Sequence, residues 1–475
     1  MLTTGFRWAL FTLLLTSLLR FADARGPNIV FIMADDLGYG EIGCYGQNQI
    51  KTPNINRLAR EGIRFTDYYA GSAVCAPSRC VLMTGRHTGH ARIRGNGGNG
   101  NLRPEDLTIA KILQAGGYST GMFGKWGLGS EEGAGLPSKQ GFDEFVGYLS
   151  HGHAHNYYPP YLIKDGERFP LKNVLEGGRR GVGGSGMGVA VVREEYAPDV
   201  ILKAALEFLD SVKDKPFFLY FPTTLPHANG EARKAGKNPN EIPSLGEYKD
   251  LDWPDSQKGL AAMISRADHD VGTILAKLKE HKLDDNTMVF FTSDNGPHKE
   301  GNNDPAFFDS SGPLRGIKRS LNDGGIRVPM IVRWPGRIKP ETVTDHVAYH
   351  GDVMATLCEI ANLEVPSGLD SISFAPTLLG KKEKQKEHEY LYWEFYEQGY
   401  KQAVRAGDWK LVIVNGKTEL HNLKTDLGEK SNVASEHPDI VDKLKKYIDE
   451  AHVPDPLWVP RPTATAPQPR RARSR

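Results

Sequence analysis

Acidic residues that follow two apolar segments have the types and spacing of a divalent-cation site. Asp35 and Asp36 directly follow the run NIVFIMA. Asp294 and Asn295 directly follow the run MVFFTS. Either motif alone is usually a helix cap or a tight turn, but together they would place three carboxylates and an amide oxygen in one cleft. Such carboxylates repel unless a cation neutralises them, and ligation by oxygen alone favours calcium, with magnesium as the alternative, over zinc.

The segment AVCAPSRCVLMTG predicts a helix that begins near Cys75. Pro77 suits the first turn of this helix and Gly85 suits its end. The free N–H groups at the start of a helix favour negative charge, and Arg79 adds a permanent positive charge on the same face. A cysteine in this position is expected to ionise easily. We therefore expect Cys75 to be a nucleophile or metal ligand facing an anionic substrate, with a buried structural thiol as the alternative.

Short apolar runs that end in polar residues or glycine alternate with runs of helical periodicity. This alternation predicts a mostly parallel sheet that is buried on both faces and has helices on both sides. Ligands bind such sheets beyond the carboxyl ends of the strands, so the polar residues there are expected to share one pocket. The predicted strands are 28–34, 118–123, 216–221 and 288–292, and the predicted helices are 54–62, 199–212 and 261–281.

Changes of composition along the chain predict four segments. Residues 1–24 have the charged start, short apolar run and small-x-small sequence of a signal peptide. A membrane anchor is the alternative, but the run is too short to span a bilayer comfortably. We therefore expect an exported, cleaved protein, periplasmic or extracellular, with no stable membrane anchor. The main domain is expected at 25–380, a smaller domain of antiparallel strands with a closing helix at 381–454, and a disordered basic tail at 455–475.

The overall composition is that of an ordinary soluble globular protein. Of the 475 residues, 39% are hydrophobic and 25% are charged, and the net charge is +1. A chain without a basic excess is not expected to be a dedicated nucleic-acid binder. Export permits disulfides, but four cysteines in so long a chain are not a disulfide framework, and the sequence does not choose among their pairings.

The segment CAPSRCVLMTG at 75–85 resembles the signature of the type I sulfatases, C-x-P-S-R followed by threonine and glycine. Five further segments resemble other blocks of that family in the same order: ADDLGYG, GKWGLG, PH, SDNG and LRGIKRSLNDGGIRVPMIVRWPG. The resemblance runs from about Asn28 to beyond Gly336. It implies an α/β sandwich like that of alkaline phosphatase, with a central mostly parallel sheet and a smaller C-terminal domain of antiparallel sheet and helix. Residues 25–380 would then be the catalytic domain.

The resemblance also implies that Cys75 is the precursor of the catalytic group. In this family a separate maturation enzyme oxidises the cysteine to Cα-formylglycine, an aldehyde. One oxygen of the hydrated aldehyde binds the metal and attacks sulfur, and the second hydroxyl then lets the group return to the aldehyde and release sulfate. The implied ligands of calcium, or of magnesium, are Asp35, Asp36, Cys75 in its oxidised form, Asp294 and Asn295.

The family pattern implies electrostatic and acid–base roles for four further residues. Arg79 would stabilise the oxygens of the hydrated aldehyde. Lys125 and Lys318 would hold the charge on the remaining sulfate oxygens as the transition state forms. His227 would protonate the departing alcohol oxygen. Taken singly, a lysine is more often a surface charge, and the alternative for His227 is a cap or turn residue after Pro226.

One block departs from the family pattern, which is commonly G-K-W-H-L-G. Gly127 stands where the family has a histidine that is usually assigned to contact or deprotonate the hydrated aldehyde. The nearby SHGHAH segment offers His151, His153 and His155, and we favour His155 or His153 as the substitute. Ser150 is a candidate sulfate contact. The alternatives for this segment are a surface or substrate-rim loop and a zinc site.

The resemblance thus implies a sulfuric ester hydrolase that acts on aryl sulfates in assays, and we expect sulfated carbohydrates as its substrates in nature. Export favours a polymer outside the cytoplasm, and the tyrosines and histidines of SHGHAHNYYPPY suit a sugar-binding rim. Two alternatives stay open. A phosphonate monoester or phosphodiester hydrolase would share the fold and the nucleophile, and a non-catalytic protein would bind sulfated glycans without turnover.

Overall fold

The computed structural model describes residues 26–96, 100–177, 179–180 and 184–460. The predicted signal peptide at 1–24 and the part of the predicted tail from 461 onward lie outside the described residues. Among the described residues, no helix combines the length and the apolarity that crossing a bilayer requires. All four cysteines are described, and none of them forms a disulfide.

A central sheet of ten strands organises the larger part of the chain. Its strands are β1 Asn28–Ala34, β2 Ile63–Phe65, β3 Ser119–Lys125, β4 Glu144–Tyr148, β5 Tyr161–Lys164, β6 Glu167–Pro170, β7 Phe217–Pro222, β8 Thr287–Ser293, β9 Met330–Arg333 and β10 Thr342–Thr344. They lie in the order β10-β2-β9-β8-β1-β7-β3-β4-β5-β6. The run from β8 to β4 is parallel throughout, while antiparallel pairing begins at β9 on one side and at β5 on the other. The predicted mostly parallel sheet is confirmed, with antiparallel strands added towards both edges.

Helices cover both faces of this sheet. In β1, Ile29 and Phe31 belong to one buried core while Val30 and Ile32 belong to the other, because successive side chains of a strand point to opposite faces. The helices are α1 Pro53–Arg60, α2 Cys75–Thr84, α3 Ile109–Ala115, α4 His151–Ala154, α5 Ala197–Val212, α6 Gly230–Lys234, α7 Asp255–Glu280, α8 Asp323–Ile326, α9 Asp352–Ile360, α10 Ala375–Leu378 and α11 Pro438–Ala451. The first core includes residues of α2, α3 and α9, and the second includes residues of α1, α5 and α7.

The three predicted helices are present, with different ends. They correspond to α1, α5 and α7. α7 begins at Asp255, six residues before the predicted start at 261, because its first residues, DSQKG, have no apolar side chain from which a periodicity could be read. α5 begins two residues earlier than predicted, with Pro198 in its first turn, where a missing N–H costs nothing.

The C-terminal sheet is a four-stranded antiparallel meander, as predicted. Its strands are β11 Leu391–Phe395, β12 Lys401–Ala406, β13 Trp409–Val414 and β14 Lys417–Asn422. One face packs against α11, with Leu411 and Leu420 in the same core as Leu444. On the other face, Trp393 and Val412 belong to the core of the main domain. The two parts of the chain therefore share one apolar interior.

Buried polar contacts join the C-terminal sheet to the segment that surrounds Lys318. Lys410 Nζ donates to Asp323 Oδ1 at 2.5 Å, and both side chains are fully buried. Glu429 Oε2 accepts the backbone N–H of Asp323 at 2.6 Å. Lys401 Nζ donates to the carbonyl oxygen of Arg319 at 2.7 Å. The C-terminal sheet thus fixes residues on the C-terminal side of Lys318.

The prediction of a disordered tail from 455 is wrong for its first residues. Most of residues 455–460 are exposed, but Trp458 is buried against the folded body. Its indole ring contacts Tyr396, and its Nε1–H donates to the carbonyl oxygen of Arg92 at 2.9 Å. The composition of this stretch is similar to that of the basic tail, which is why the prediction included it. Burial of one large aromatic ring is nevertheless enough to hold it in place.

Candidate active site

The carboxylates of the predicted cation site lie together at the carboxyl ends of β1 and β8. These parallel strands pair with Ala34 opposite Ser293, so the residues that follow them meet at one edge of the sheet. Asp36 has a φ of 67°, and its backbone N–H donates to Asp294 Oδ1 at 3.0 Å. Asn295 Nδ2 donates to Asp36 Oδ1 at 2.7 Å. All five predicted ligands are buried: Asp35, Asp36, Cys75, Asp294 and Asn295.

Two buried lysines pair with the first two carboxylates. Lys125 Nζ, at the end of β3, donates to Asp35 Oδ2 at 2.7 Å. Lys318 Nζ donates to Asp36 Oδ2 at 2.6 Å. Burial alone would raise the pKa of Asp35, but nearby positive charge, Lys125 foremost, holds it well below its usual value. Both predicted sulfate-binding lysines therefore lie inside the cluster rather than at the surface.

Arg79 pairs with the third carboxylate. Its Nη2 and Nε donate to Asp294 Oδ2 at 2.8 and 3.1 Å. Its Nη1 donates to the carbonyl oxygen of Lys125 at 2.6 Å, which ties α2 to the end of β3. Burial, followed by the charge of Asp35, raises the pKa of Asp294 to about 7. The fully buried guanidinium is thus a fixed positive charge at the centre of the site.

The helix predicted near Cys75 begins at that residue. Pro77 lies in its first turn, and Gly85 ends it in the left-handed conformation with a φ of 65°. Cys75 Sγ lies 3.3 Å from Asp35 Oδ1 and 4.0 Å from Asp36 Oδ1. The start of the helix therefore presents the sulfur to the carboxylate cluster.

The prediction that Cys75 ionises easily is wrong for the thiol in this structure. Its side chain is 1% exposed, and burial raises its pKa well above the usual value. The negative charge of Asp35 raises the pKa further, and Lys125 only partly offsets it. The sequence showed the helix start and Arg79 but not that two carboxylates would lie closer to the sulfur.

His227 lies in contact with Lys318 and Asp36. Its Nε2 is 3.1 Å from Lys318 Nζ and 3.4 Å from Asp36 Oδ2. Its Nδ1 is 2.9 Å from the carbonyl oxygen of Ala228, which favours a proton on Nδ1 and an Nε2 that accepts from Lys318. Burial, followed by the charge of Lys318, lowers the pKa of His227 well below its usual value.

The oxygen donors of the cluster fit a hard divalent cation, whereas the sulfur of Cys75 and the nitrogen of His227 do not. One ligand atom each from Asp35, Asp36, Cys75 and His227 lies within 4.8 Å of the others. Asn295 Oδ1 is buried and has no hydrogen-bond partner among the described residues. A buried oxygen without a donor, next to buried carboxylates, is the arrangement that an oxygen-ligated cation would satisfy.

The histidines of the SHGHAH segment lie in three different places. His155 stacks on His227 with ring centroids 4.6 Å apart, so it borders the site on the His227 side. His153 Nε2 donates to the carbonyl oxygen of Tyr161 at 2.9 Å, which directs the ring into the protein interior. The prediction that His153 substitutes for the missing histidine is therefore wrong. His151 lies beside Gly127, on the Lys125 side.

Ser150 has a local structural role in α4. It precedes the first residue of that helix, and its Oγ accepts the backbone N–H of His153 at 3.3 Å. This contact is an ordinary N-cap hydrogen bond. A sulfate contact of Ser150 stays a prediction.

The structure adds three residues that the sequence did not single out. Glu300 accepts from Lys318 Nζ at 3.2 Å and from Arg319 Nη1 at 2.5 Å. Burial opposes the charge of Glu300, but Lys318 and His227 hold its pKa well below the usual value. His298 stacks on His227 at 5.6 Å, on the face that His155 leaves free. In the sequence, these residues were indicated only by their closeness to predicted site residues: Arg319 follows Lys318, and Glu300 and His298 come shortly after the SDNG block.

Comparison with known proteins gives family matches over most of the chain. Residues 27–363 match the family model described as sulfatase. Residues 317–453 match a model described as the C-terminal part of N-sulphoglucosamine sulphohydrolase. The chain is 32% identical to N-acetylgalactosamine-6-O-sulfatase of Bacteroides thetaiotaomicron, over 90% of this chain and 93% of that protein. It is 34% identical to human arylsulfatase A, over 84% of this chain and 77% of that protein.

Solved structures show the same similarity in three dimensions. The crystal structure of Ps i-CgsB in complex with k-i-k-neocarrahexaose matches with a TM-score of 0.73 at 27% identity, over 90% of this chain and 92% of that one. A sulfatase structure from a study of glycosaminoglycan metabolism by Bacteroides thetaiotaomicron matches with a TM-score of 0.72 at 27% identity, over 90% of this chain and 99% of that one.

Proposed function

Because this chain belongs to the sulfatase family and is a hydrolase of sulfate esters, we propose that it removes sulfate from sulfated carbohydrates, using a nucleophile made from Cys75 and a bound calcium ion. The observation that carries the proposal is the position of Cys75 Sγ, 3.3 Å from Asp35 at the start of α2, among three buried carboxylates and three buried cations. Such a site binds a divalent cation and a sulfate group side by side.

Calcium would be held by Asp35, Asp36, Asp294 and Asn295, whose oxygens form a hard, anionic donor set. When bound, it would polarise the nucleophile and one sulfate oxygen. The orphaned Asn295 Oδ1 supports this ligand set. Magnesium is the alternative ion, since it accepts the same oxygen ligands.

The surroundings of Cys75 support its conversion to another group. A buried thiol with a raised pKa is a poor nucleophile, because the thiolate is the reactive form. Oxidation to Cα-formylglycine by a separate maturation enzyme would replace it with an aldehyde that, once hydrated, supplies an oxygen nucleophile and an internal route for sulfate release. In this proposal the positive charge of Arg79, one helical turn along α2, stabilises the oxygens of the hydrated aldehyde at residue 75.

The lysines and His227 supply charge and a proton. Lys125 and Lys318 are buried beside the cluster, where a fixed positive charge stabilises developing negative charge more than it would in water. His227 Nε2 carries no proton of its own in this arrangement, and Lys318 Nζ, 3.1 Å away, is the donor from which it would take up the proton that it gives to the departing oxygen. We assign His227 as the general acid.

The rim of the site supports a carbohydrate substrate. Four polar side chains that contact one another in two pairs at or near the site are partly exposed, with exposed fractions of 26% for His155, 22% for Glu231, 30% for Glu300 and 29% for Arg319. Such groups suit the hydroxyls of a sugar better than an apolar sterol or a simple aryl group. A similar protein is named for N-acetylgalactosamine-6-O-sulfate, and a similar structure holds a neocarrahexaose.

The direct test is a mass spectrum of tryptic peptide 65–79 from protein purified out of its own host, together with turnover of matched aryl esters. We expect the aldehyde mass at residue 75, trapped further by a hydrazine reagent, and a higher kcat/KM for the aryl sulfate than for the aryl phosphate or phosphonate. Preference for the phosphorus ester would move the chain to the phosphonate or phosphodiester alternative. An unmodified thiol without turnover would favour a binding protein.

Replacement of His227 by alanine tests the general acid. We expect kcat/KM for a sugar sulfate to fall by about 10²–10⁴-fold, and by less than about tenfold for 4-nitrophenyl sulfate, because only the poor leaving group needs a proton. The check is the slope of log kcat/KM against leaving-group pKa over a series of aryl sulfates, which should steepen. The exposed His269, replaced by alanine, is the matched control and should leave the slope unchanged. Equal losses for all substrates would contradict the assignment.

A further inference from the structure

Glu300 lies directly beside the atom that we assign as proton donor to the departing alcohol. Its Oε2 is 3.4 Å from His227 Nε2 and 3.2 Å from Lys318 Nζ. The side chains of His227 and Lys318 are each 3% exposed, whereas that of Glu300 is 30% exposed. Glu300 therefore lies on the solvent side of this pair, which is the side from which a substrate arrives.

The turn that carries Glu300 is held in place by the segment that follows His227. A Cβ added to Gly301 would lie 2.6 Å from Ala228 Cβ, so the two segments touch closely at this point. Gly301 also has a φ of 71°, a conformation that suits glycine. Arg319 Nη1 fixes the carboxylate itself by donating to its Oε1 at 2.5 Å. The carboxylate is thus held at a defined distance from His227.

The carboxylate of Glu300 can accept further hydrogen bonds. Its two oxygens offer about four acceptor positions, of which Lys318 and Arg319 occupy two. His227 can give a proton to the departing oxygen only when that oxygen is within hydrogen-bond reach. The carbon atoms next to the sulfated one then come close to Glu300 Oε2, and a hydroxyl on one of them can donate to it.

The partly exposed charges around Glu300 favour a substrate without a second anion. Arg319 Nη1 donates to Glu300, and Arg319 Nε lies 3.4 Å from Glu397 Oε2, so this guanidinium is shared between two carboxylates. Glu231 adds a third carboxylate on the His155 side of the site. A second anionic group on the substrate would therefore meet more negative than positive charge.

We propose that Glu300 selects sugars that have a free hydroxyl beside the sulfate. The inference rests on the proposed function, since it needs a sugar sulfate in the site and His227 as its acid. The hydroxyl donates to the carboxylate, and hydrogen bonds to a charged group are the stronger kind. A second sulfate or a uronic-acid carboxylate in the same place meets a like charge and has no proton to donate. The substrate class is a sugar whose only charge is the sulfate, rather than a polyanionic unit.

A series of sugar sulfates tests the inference on the protein purified from its own host. The probes are methyl glucosides and methyl galactosides with one sulfate at O2, O3, O4 or O6. The probe with the highest kcat/KM is compared with derivatives in which each hydroxyl nearest the sulfate is changed in turn. For one of these positions, replacement of the hydroxyl by hydrogen should lower kcat/KM by about 10–100-fold, and its sulfation by about 100-fold or more. Equal kcat/KM for the parent sugar and every deoxy derivative, or a preference for a disulfate, would overturn the inference.

Glu300→Gln identifies the group responsible for the discrimination. The amide keeps the size of the side chain but removes its charge, so the ratio of kcat/KM between the parent sugar and the deoxy derivative should shrink by about fivefold or more. The ratio between the parent sugar and the disulfate should shrink as well. Glu397→Gln removes the other carboxylate beside Arg319 and is the matched control, which should keep both ratios. A loss shared equally by all substrates of Glu300→Gln would show a structural role and contradict the inference.

The two levels of the proposal fail in different ways. If no monosulfated sugar is hydrolysed although residue 75 carries the aldehyde, the carbohydrate substrate of the proposed function is wrong, and this inference falls with it. Hydrolysis of the monosulfates without discrimination among the derivatives overturns this inference alone. The comparison of substrates on the unchanged protein decides between these outcomes even if Glu300→Gln folds poorly.

Discussion

Replacement of Cys75 by alanine is expected to lower kcat for sulfate esters by about 10⁴-fold or more, because it removes the only group that the proposal assigns as nucleophile. The carboxylates and the positively charged side chains around residue 75 are unchanged in this variant. We therefore expect the affinity for sulfate to fall much less than kcat. The measurements are kcat for a matched aryl sulfate and the binding of inorganic sulfate by calorimetry. Turnover close to that of the unchanged protein would contradict the nucleophile.

Cys80 offers a matched control for that variant. It lies in the same helix, is fully buried, and belongs to the apolar core rather than to the cluster. Cys80→Ala should cost on the order of 1 kcal/mol of stability through the small cavity it leaves, with kcat unchanged. Loss of activity in both variants alike would point to a damaged helix rather than to a lost nucleophile.

Asp35→Asn is expected to weaken calcium binding by about 100-fold or more and to lower kcat/KM by about 10³-fold. The change keeps the shape of the side chain but removes a charge from the ligand set, and calcium affinity follows the number of charged ligands. Asp35 also pairs with Lys125, which is fully buried, so the variant should lose up to about 3 kcal/mol of stability. Calcium titration of chelator-treated protein by calorimetry is the measurement.

Asp268→Asn is the control for Asp35→Asn, because Asp268 is also a buried carboxylate but lies outside the predicted calcium site. Its oxygens accept from the N–H of Ile55 at 2.7 Å and from Asn54 Nδ2 at 2.9 Å, at the start of α1. Asp268→Asn should lower stability while leaving the calcium affinity unchanged. Undiminished calcium binding by Asp35→Asn would overturn the ligand set.

The proximity of the predicted metal ligands could be foreseen because it depends on strand ends. A parallel sheet brings the carboxyl ends of neighbouring strands to one edge, and the pairing of Ala34 with Ser293 does this for Asp35 and Asp294. The start and end of α2 were predictable for a similar local reason, since Pro77 and Gly85 each suit one end of a helix. The helix ends depend on a few residues close together in the chain, and the carboxylate cluster depends on strands whose order follows a general rule of parallel sheets.

The histidines were not predictable in the same way. Spacing alone did not show that α4 begins at His151, although Ser150 before it is a common cap residue. The two-residue spacing also did not show that His153 would bind the carbonyl oxygen of Tyr161, while His151 lies beside Gly127 and His155 stacks on His227. The protonation of Cys75 also escaped prediction, because it depends on carboxylates that are close only in the folded chain.

The contacts of the C-terminal sheet mean that this protein is not modular. Lys410 and Glu429 hold Asp323, and Lys401 holds the backbone of Arg319, so the residues next to Lys318 are positioned by a part of the chain far away in sequence. A C-terminal sheet grafted from a relative would therefore have to reproduce these contacts to keep the segment from 318 to 323 in place.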